Sequence, residues 1–211
     1  GKSVMYGRRV YACVYPGGSR AMETLVEDVN ASLHTGIKWQ RVATYLDFLE
    51  AAMLVRQIEP LELRLKGKRG ACKLVLCDHA LRSAFLGENV PLTAKGLASA
   101  PHLADLAGRI AESVVGAFLS ELPGMKLNHL PERGTEPEVD YVATIGLQRI
   151  PIEVKYRGSI DAARDTRGLL AFIDKPTNNA PFGLLVTRDD GVTIGDPRIV
   201  PVSLPSLLFL R

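Results

Sequence analysis

Two stretches of alternating apolar and polar residues flank a short glycine turn and constrain the fold more than any other feature of the sequence. They cover residues 138–144 and 149–156 and are rich in β-branched and aromatic residues, which is typical of an antiparallel β-hairpin. A two-residue turn that begins at Gly146, as a type II′ turn prefers, pairs residues whose numbers sum to 293. That register predicts that Asp140 lies opposite Glu153.

The predicted register collects charged side chains on one face of the hairpin. Residues two apart on a strand share a face, so Lys155 is expected beside Asp140 and Glu153. Two carboxylates this close repel each other unless a cation lies between them, and Mg²⁺ or Mn²⁺ prefers such oxygen ligands. The Lys155 ammonium would then orient a water for attack on phosphorus or stabilise the developing charge. The alternative is a surface hairpin in which Lys155 forms exposed ion pairs of little energetic value.

A helix that carries one acidic residue is predicted before the hairpin, because apolar residues recur every three or four positions over 103–119. Glu112 lies off the apolar stripe, with Gly108 four residues before it and Gly116 four residues after it. The simplest interpretation is a solvated glutamate. Each glycine costs a helix about 1 kcal/mol relative to alanine, however, which suggests that something approaches this face closely.

Two helices joined by a short turn predict a helix-turn-helix in the first half of the chain. Apolar spacing indicates helices over residues 20–33 and 38–54, with Gly36 in the turn between them. The second helix would be the one that reads DNA. Its outward face offers four polar side chains: Lys38, Gln40, Arg41 and Thr44.

A basic hairpin is predicted after these helices, with residues 61–65 and 73–76 as its two strands. It would be the wing of a winged helix, and its basic side chains would contact DNA phosphates, which provide affinity rather than sequence information. These side chains are Arg64, Lys66, Lys68, Arg69 and Lys73. Edge hairpins are also rich in lysine because it resists edge-to-edge pairing, and many winged helices bind protein instead of DNA.

Turn-forming residues over 87–96 indicate a boundary between two domains, residues 1–95 and 96–211. The charge divides unevenly across this boundary: the first part carries 14 basic and 9 acidic side chains, and the second carries 12 and 14. Such asymmetry is compatible with a nucleic-acid partner for the first part.

The cysteines and the hydropathy predict a cytoplasmic protein with no membrane partner. Cys13, Cys72 and Cys77 are odd in number and include no CxxC pair, so neither a disulfide framework nor a zinc site is indicated. No apolar run approaches the roughly 18 residues that a transmembrane helix needs.

Short elements complete the predicted α/β core. A helix is expected to follow His79, a buried strand to cover residues 183–187, and a terminal helix to cover 204–210. Residues 199–202 are predicted as an edge strand, because the proline at position 201 is tolerated mainly at the edges of sheets.

The order of these motifs resembles that of the PD-(D/E)xK nuclease superfamily: a helix with Glu112, then Asp140, then Glu153-Val154-Lys155 on the next strand. It is similar, more specifically, to the winged-helix plus nuclease-like C-terminal region of prokaryotic AAA-type P-loop ATPases, from about residue 20 onward. The resemblance implies an α/β fold: an N-terminal winged helix-turn-helix and a restriction-endonuclease-like domain with a mixed central sheet. It implies that Glu112, Asp140 and Glu153 bind Mg²⁺ or Mn²⁺ and that Lys155 is the catalytic lysine.

The resemblance also implies a helix after the lysine, which residues 161–172 would supply, and an ATPase domain that this sequence lacks. The expected function is metal-dependent hydrolysis of phosphodiester bonds in DNA, with a P-loop ATPase domain or a second copy of the chain as partner. Two alternatives stay open. One is a non-catalytic DNA-binding or docking module with a nuclease-like fold, and the other is a winged helix that binds only protein.

Overall fold

The protein has a mixed α/β fold built on a three-stranded and a five-stranded sheet. The structure, a computed structural model, describes residues 18–19, 22–34, 36–62, 71–87, 89–91, 93–132, 134 and 136–209. The strands are β1 (Gly18–Ser19), β2 (Val55–Ile58), β3 (Lys73–Leu76), β4 (Lys126–Leu130), β5 (Val139–Ile145), β6 (Gln148–Lys155), β7 (Gly183–Thr187) and β8 (Ile199–Ser203). The helices are α1 (Met22–Leu33), α2 (Trp39–Ala51), α3 (His79–Leu86), α4 (Ala94–Ser99), α5 (Ala104–Ser120), α6 (Ala162–Asp165), α7 (Arg167–Ile173) and α8 (Leu204–Leu208).

Helices α1 and α2 confirm the predicted helix pair. The turn between them is held by Asn30, whose side chain accepts a hydrogen bond from Ile37 N at 2.7 Å and donates one to Ile37 O at 2.9 Å. The apolar faces of the two helices share one core, which includes Leu25, Val29, Val42, Leu46 and Leu49.

The three-stranded sheet corrects the predicted basic hairpin. Strand β3 is central and pairs with β1 on one side and with β2 on the other, whereas the prediction gave it a partner strand over residues 61–65. Leu61 belongs to the buried core of the larger sheet together with Leu130, and its N donates a hydrogen bond to His129 O at 2.7 Å. Residues 63–70, with Arg64, Lys66, Lys68 and Arg69, lie outside the described residues, and the winged helix is not confirmed.

The five-stranded sheet has the order β4-β5-β6-β7-β8 and is mixed, as expected. Strand β5 pairs in antiparallel fashion with β4 and with β6, whereas the pairs β6–β7 and β7–β8 are parallel. The hairpin register is confirmed, since Tyr141 pairs with Ile152 and Ile145 with Gln148. Gly146 adopts φ +59° at the turn, a conformation that favours glycine. Strand β8, which contains Pro201, lies at the edge.

Helix α5 connects the two sheets. Ala111 and Val115 share a core with Val75 of β3 and Val154 of β6. Leu76 N also donates a hydrogen bond to Ser113 Oγ of α5 at 2.8 Å. Strand β3 therefore packs against a helix that lies beyond the predicted domain boundary, and the boundary itself stays a prediction.

The remaining predicted elements are present with small changes. The helix expected over 161–172 consists of α6 and α7, which are separated by Thr166; the hydroxyl of Thr166 donates to Ala162 O at 2.6 Å. Strand β7 and helices α3 and α8 confirm the shorter predictions. Cys77 carries a free thiol. Within the described ranges, no helix is both long and apolar enough to cross a bilayer.

Candidate active site

Carboxylates from three different elements converge at the end of the β5–β6 hairpin that is remote from its turn. Asp140 belongs to β5, Glu153 to β6 and Glu112 to α5. Their side chains are 14%, 13% and 15% exposed. Neither the exposed surface hairpin nor the solvated glutamate describes this arrangement, because all three side chains are largely removed from water.

Hydrogen bonds hold the Asp140 and Glu153 carboxylates and join the elements that carry the site. Asp140 Oδ2 accepts from Val154 N at 2.8 Å, which holds the aspartate next to Glu153 across the hairpin. The Tyr141 hydroxyl donates to Glu112 O at 2.9 Å and so attaches helix α5 to strand β5. Lys155 Nζ donates to Glu153 Oε1. The sequence-predicted residues Glu112, Asp140, Glu153 and Lys155 are thus neighbours.

Lys73 enters the same cluster from β3. Its Nζ lies 2.5 Å from Glu112 Oε1, 3.6 Å from Asp140 Oδ1 and 3.2 Å from Asp140 O. It also lies 4.0 Å from Glu138 Oε1 and 4.8 Å from the centroid of the Tyr141 ring. We call Lys73, Glu112, Asp140, Glu153 and Lys155 the acidic cluster.

The position of Lys73 corrects its assignment to an exposed basic hairpin. Its side chain is 1% exposed, because β3 is the central strand of its sheet and is covered by α5. A buried ammonium needs charged or polar partners, and the carboxylates supply them. In this arrangement Lys73 faces carboxylates and has no open path to a DNA phosphate.

Burial and mutual repulsion keep protons on part of the acidic cluster. The pKa of Glu112 is raised to about 7 and that of Glu153 to about 8. Burial is the largest cause of both shifts, and the negative charge of Asp140 is the second. Burial acts to lower the pKa of Lys73, but Asp140 and Glu112 outweigh it and raise the pKa above its ordinary value. Glu153 and Asp140 raise the pKa of Lys155 in the same way against its burial. The two lysines therefore stay charged while the two glutamates are poised to exchange a proton near neutral pH.

The donor chemistry of the acidic cluster fits a hard divalent cation. Glu153 Oε2 is buried and has no hydrogen-bond partner among the described residues, and such an atom carries a free-energy cost that a cation would remove. Across the same part of the chain, no three His, Cys, Asp or Glu side chains are already arranged to hold a metal ion. Asp140 and Glu153 would hold such an ion, and Glu112 could join them only by leaving its ion pair with Lys73.

A groove of about 430 Å³ opens beside the acidic cluster, between α5 and the end of β6. Its lining includes Asp105, Gly108, Arg109, Glu112, Lys155 and Arg157. A Cβ atom at Gly108 would meet nothing within 4 Å, so this glycine faces open space. A Cβ atom at Gly116 would instead lie 2.5 Å from the Tyr141 hydroxyl oxygen. The sequence predicts that another group lies close to both glycines. The structure shows such a group at Gly116, where it is the side chain of Tyr141, and none at Gly108.

The predicted DNA-reading residues lie on the exposed side of α2 and at its start. Lys38 is the N-cap of the helix, and Gln40, Arg41 and Thr44 follow in its first turns. All four are exposed, and Thr44 Oγ1 donates to Gln40 O at 3.0 Å. The two cations are thus available to a charged partner.

Sequence reasoning missed the contribution of two residues to the acidic cluster. The sequence pattern groups Lys73 with the basic residues before it, although it begins a strand, Lys73–Leu76, in which every residue is buried. Tyr141, which follows Asp140 directly, is not among the predicted site residues. A buried strand that starts with lysine is a signal that could have separated Lys73 from the hairpin.

Comparisons with known proteins give no family assignment. The sequence matches no protein-family model and no curated protein. The structure is similar to that of protein VC1899 from Vibrio cholerae, with a TM-score of 0.31, 13% identity and coverage of 97% of this chain and 52% of that chain. It is also similar to a chain in the half-complex of Thermococcus gammatolerans McrB AAA+ hexamers with bound McrC, with a TM-score of 0.32, 14% identity and coverage of 94% and 70%. The chain thus spans about half the length of the Vibrio cholerae protein, and both structural similarities are weak.

Proposed function

We propose that this chain is a Mg²⁺-dependent nuclease that hydrolyses phosphodiester bonds in DNA. One observation carries the proposal: Asp140, Glu153 and Lys155 lie together on neighbouring strands, with Glu112 brought to them by α5. Buried carboxylates with raised pKa values beside an open groove are a feature of many catalytic centres, which supports the proposal.

The residues of the acidic cluster have distinct roles in this proposal. Asp140 and Glu153 hold Mg²⁺ or Mn²⁺, and Glu112 completes or adjusts the ligand set. The metal ion, when bound, polarises the phosphoryl oxygen and lowers the pKa of a bound water. Lys155, at the rim of the groove, donates a hydrogen bond to the attacking water or to the developing negative charge. Arg109 and Arg157, which line the same groove, attract the DNA backbone.

The proposal extends to the partners. DNA is bound by the exposed cations of α2, Lys38 and Arg41, with additional contacts from Arg64, Lys66, Lys68 and Arg69. The order of sequence motifs supports a role as the C-terminal part of an AAA-type ATPase, or as a separate chain that works with one. A homo-oligomer is the alternative, and the mass of the purified chain in solution distinguishes the two.

Plasmid nicking tests the catalytic proposal. We expect the wild-type chain with Mg²⁺ to convert supercoiled plasmid to the open circle, and Asp140→Asn and Lys155→Met to lose about 100-fold or more of this activity. The matched control is Asp189→Asn, which changes an exposed aspartate that pairs with Arg188. Equal nicking by all four proteins, or none by any, would remove the catalytic assignment.

A second function is favoured by the pairing of the carboxylates with Lys73 and Lys155. Because these ammonium groups already neutralise much of the cluster, the fold is also suited to a non-catalytic DNA-binding or docking module. Calorimetry distinguishes the two functions: DNA binding that persists while Mn²⁺ produces no binding heat supports the non-catalytic module. A chain that binds a protein partner but shows no salt-dependent retention on DNA contradicts the nuclease and leaves only the docking role.

A further inference from the structure

The ammonium group of Lys73 occupies a position from which a cation would contact both Glu112 and Asp140. Its Nζ is 2.5 Å from Glu112 Oε1 and 3.6 Å from Asp140 Oδ1, and its side chain is 1% exposed. It reaches this position from β3, in the small sheet, whereas the carboxylates belong to α5 and the large sheet. The first part of the chain thus supplies a component of the acidic cluster.

The two halves of the acidic cluster differ in how their charge is balanced. Glu112 is paired with Lys73 at 2.5 Å, and Asp140 receives a hydrogen bond from Val154 N and the nearby charge of Lys73. Glu153 pairs through Oε1 with Lys155 but leaves Oε2 buried and without a partner among the described residues. The cluster is therefore open to a further cation on the Glu153 side and occupied by an ammonium on the Glu112 side.

We infer that Lys73 is an internal cation that competes with the divalent ion for Glu112 and Asp140. The inference rests on the proposed metal site and adds its regulation. A divalent ion drawn to Asp140 and Glu153 is repelled by an ammonium only 3.6 Å from Asp140 Oδ1, and the repulsion is strong because little water screens it there. Glu112 becomes a metal ligand only when its contact with Lys73 breaks. Metal affinity thus depends on the contact between Lys73 and Glu112.

Calorimetric titration with Mn²⁺ tests this competition directly. We expect the full chain carrying Lys73→Met to bind Mn²⁺ at least tenfold more tightly than the wild type. Lys175→Met is the matched control, since Lys175 forms an ion pair with Glu136 outside the acidic cluster, and its affinity should equal that of the wild type. Circular dichroism and thermal unfolding establish that each variant is folded.

The outcomes separate the inference from the proposed function. Mn²⁺ binding by the wild type that is unchanged or weaker in folded Lys73→Met overturns the competition and leaves the metal site intact. Binding by neither protein overturns both. Tightening by Lys175→Met as well would show a general charge effect and would also overturn the competition.

A second measurement needs no substitution and covers the case in which Lys73→Met does not fold. The ammonium protons of a buried lysine exchange slowly, and those of Lys73 are identified in NMR spectra by their proximity to the Tyr141 ring, whose centroid is 4.8 Å from Nζ. We expect their signal to shift or disappear as Mg²⁺ saturates the protein. A Lys73 signal that is unchanged at saturation contradicts the inference.

Discussion

Gly116 lies against the ring of Tyr141, so that a Cβ atom at position 116 would be 2.5 Å from the tyrosine hydroxyl oxygen and 2.7 Å from its Cζ. The same hydroxyl donates to Glu112 O, one helical turn earlier, at 2.9 Å. The glycine therefore lets α5 approach β5 closely enough for this bond to form. Because Asp140 precedes Tyr141 and Glu112 accepts the bond, the contact also sets the distance between two carboxylates of the acidic cluster.

Gly116→Ala is expected to destabilise the protein by about 1–3 kcal/mol, because the aromatic ring is buried and cannot move away from the added methyl group. Gly108→Ala is the matched control on the same helix, where a Cβ atom meets nothing within 4 Å. It should be neutral or stabilising by up to about 1 kcal/mol. Urea denaturation measures both, and equal effects of the two substitutions would contradict the spacing role of Gly116.

Stability without metal should fall as the pH rises, because the folded protein holds a proton that the unfolded chain has released. Burial and Asp140 raise the pKa of Glu153 from an ordinary value of 4.5 to about 8. The free energy of unfolding then decreases between these pH values, by at most about 1.4 kcal/mol per pH unit for one proton. Denaturation in EDTA at pH 6, 7 and 8.5 measures this slope. Glu153→Gln, which cannot ionise, should flatten it, and an unchanged slope would show that Glu153 is not its source.

Asp165 should give stability the opposite dependence at acid pH. Burial acts to raise the pKa of Asp165, but hydrogen bonds from Arg157 and from Asp161 N outweigh it and hold the pKa below its usual 3.8. Its contribution is therefore complete above that pH and is lost as the pH falls further. Asp165→Asn should cost about 1–3 kcal/mol at pH 7, and the exposed Asp189→Asn should cost almost nothing. A similar loss for both would rule out a specific role for the buried aspartate.

Local patterns predicted the hairpin that carries the site, down to its register. Alternation along β5 and β6 and a glycine at the turn are properties of adjacent residues, so the pairing of Tyr141 with Ile152 follows from the chain itself. The approach of Glu112 came from resemblance alone, because periodicity places it on a polar face and does not say which element covers that face.

Contacts between distant parts of the chain could not be predicted in this way. Residues 61–65 alternate at strand spacing, whereas the apolar residues of 55–58 lie three positions apart, and the packing of the molecule nevertheless makes 55–58 the partner of β3. Lys73 shows the same limit, since the position of the ammonium depends on Glu112, 39 residues later. A basic run in the sequence did not distinguish a surface cation from a buried one.

The exposed cations of α2 should contribute to DNA affinity through phosphates. Lys38→Ala and Arg41→Ala are each expected to weaken binding to duplex DNA and to reduce the slope of log affinity against log salt by about 1. Lys95→Ala, an exposed lysine on α4, is the control and should change neither quantity. Fluorescence anisotropy across a salt series measures both. Equal effects of all three substitutions would assign the affinity to net charge rather than to α2.

The groove beside α5 gives a test of the substrate path that leaves the acidic cluster unaltered. Gly108 faces a volume of about 430 Å³ and has free space for a side chain. Gly108→Leu should therefore fold normally but fill the groove next to Glu112 and Lys155. We expect plasmid nicking to fall about tenfold or more, an increase of about 1.4 kcal/mol in the barrier, with Mn²⁺ affinity unchanged. Gly108→Ala, which adds a single methyl group, should retain most of the activity. Full activity of Gly108→Leu would place the DNA backbone elsewhere, because a leucine in the groove and a phosphodiester at Lys155 would occupy the same space.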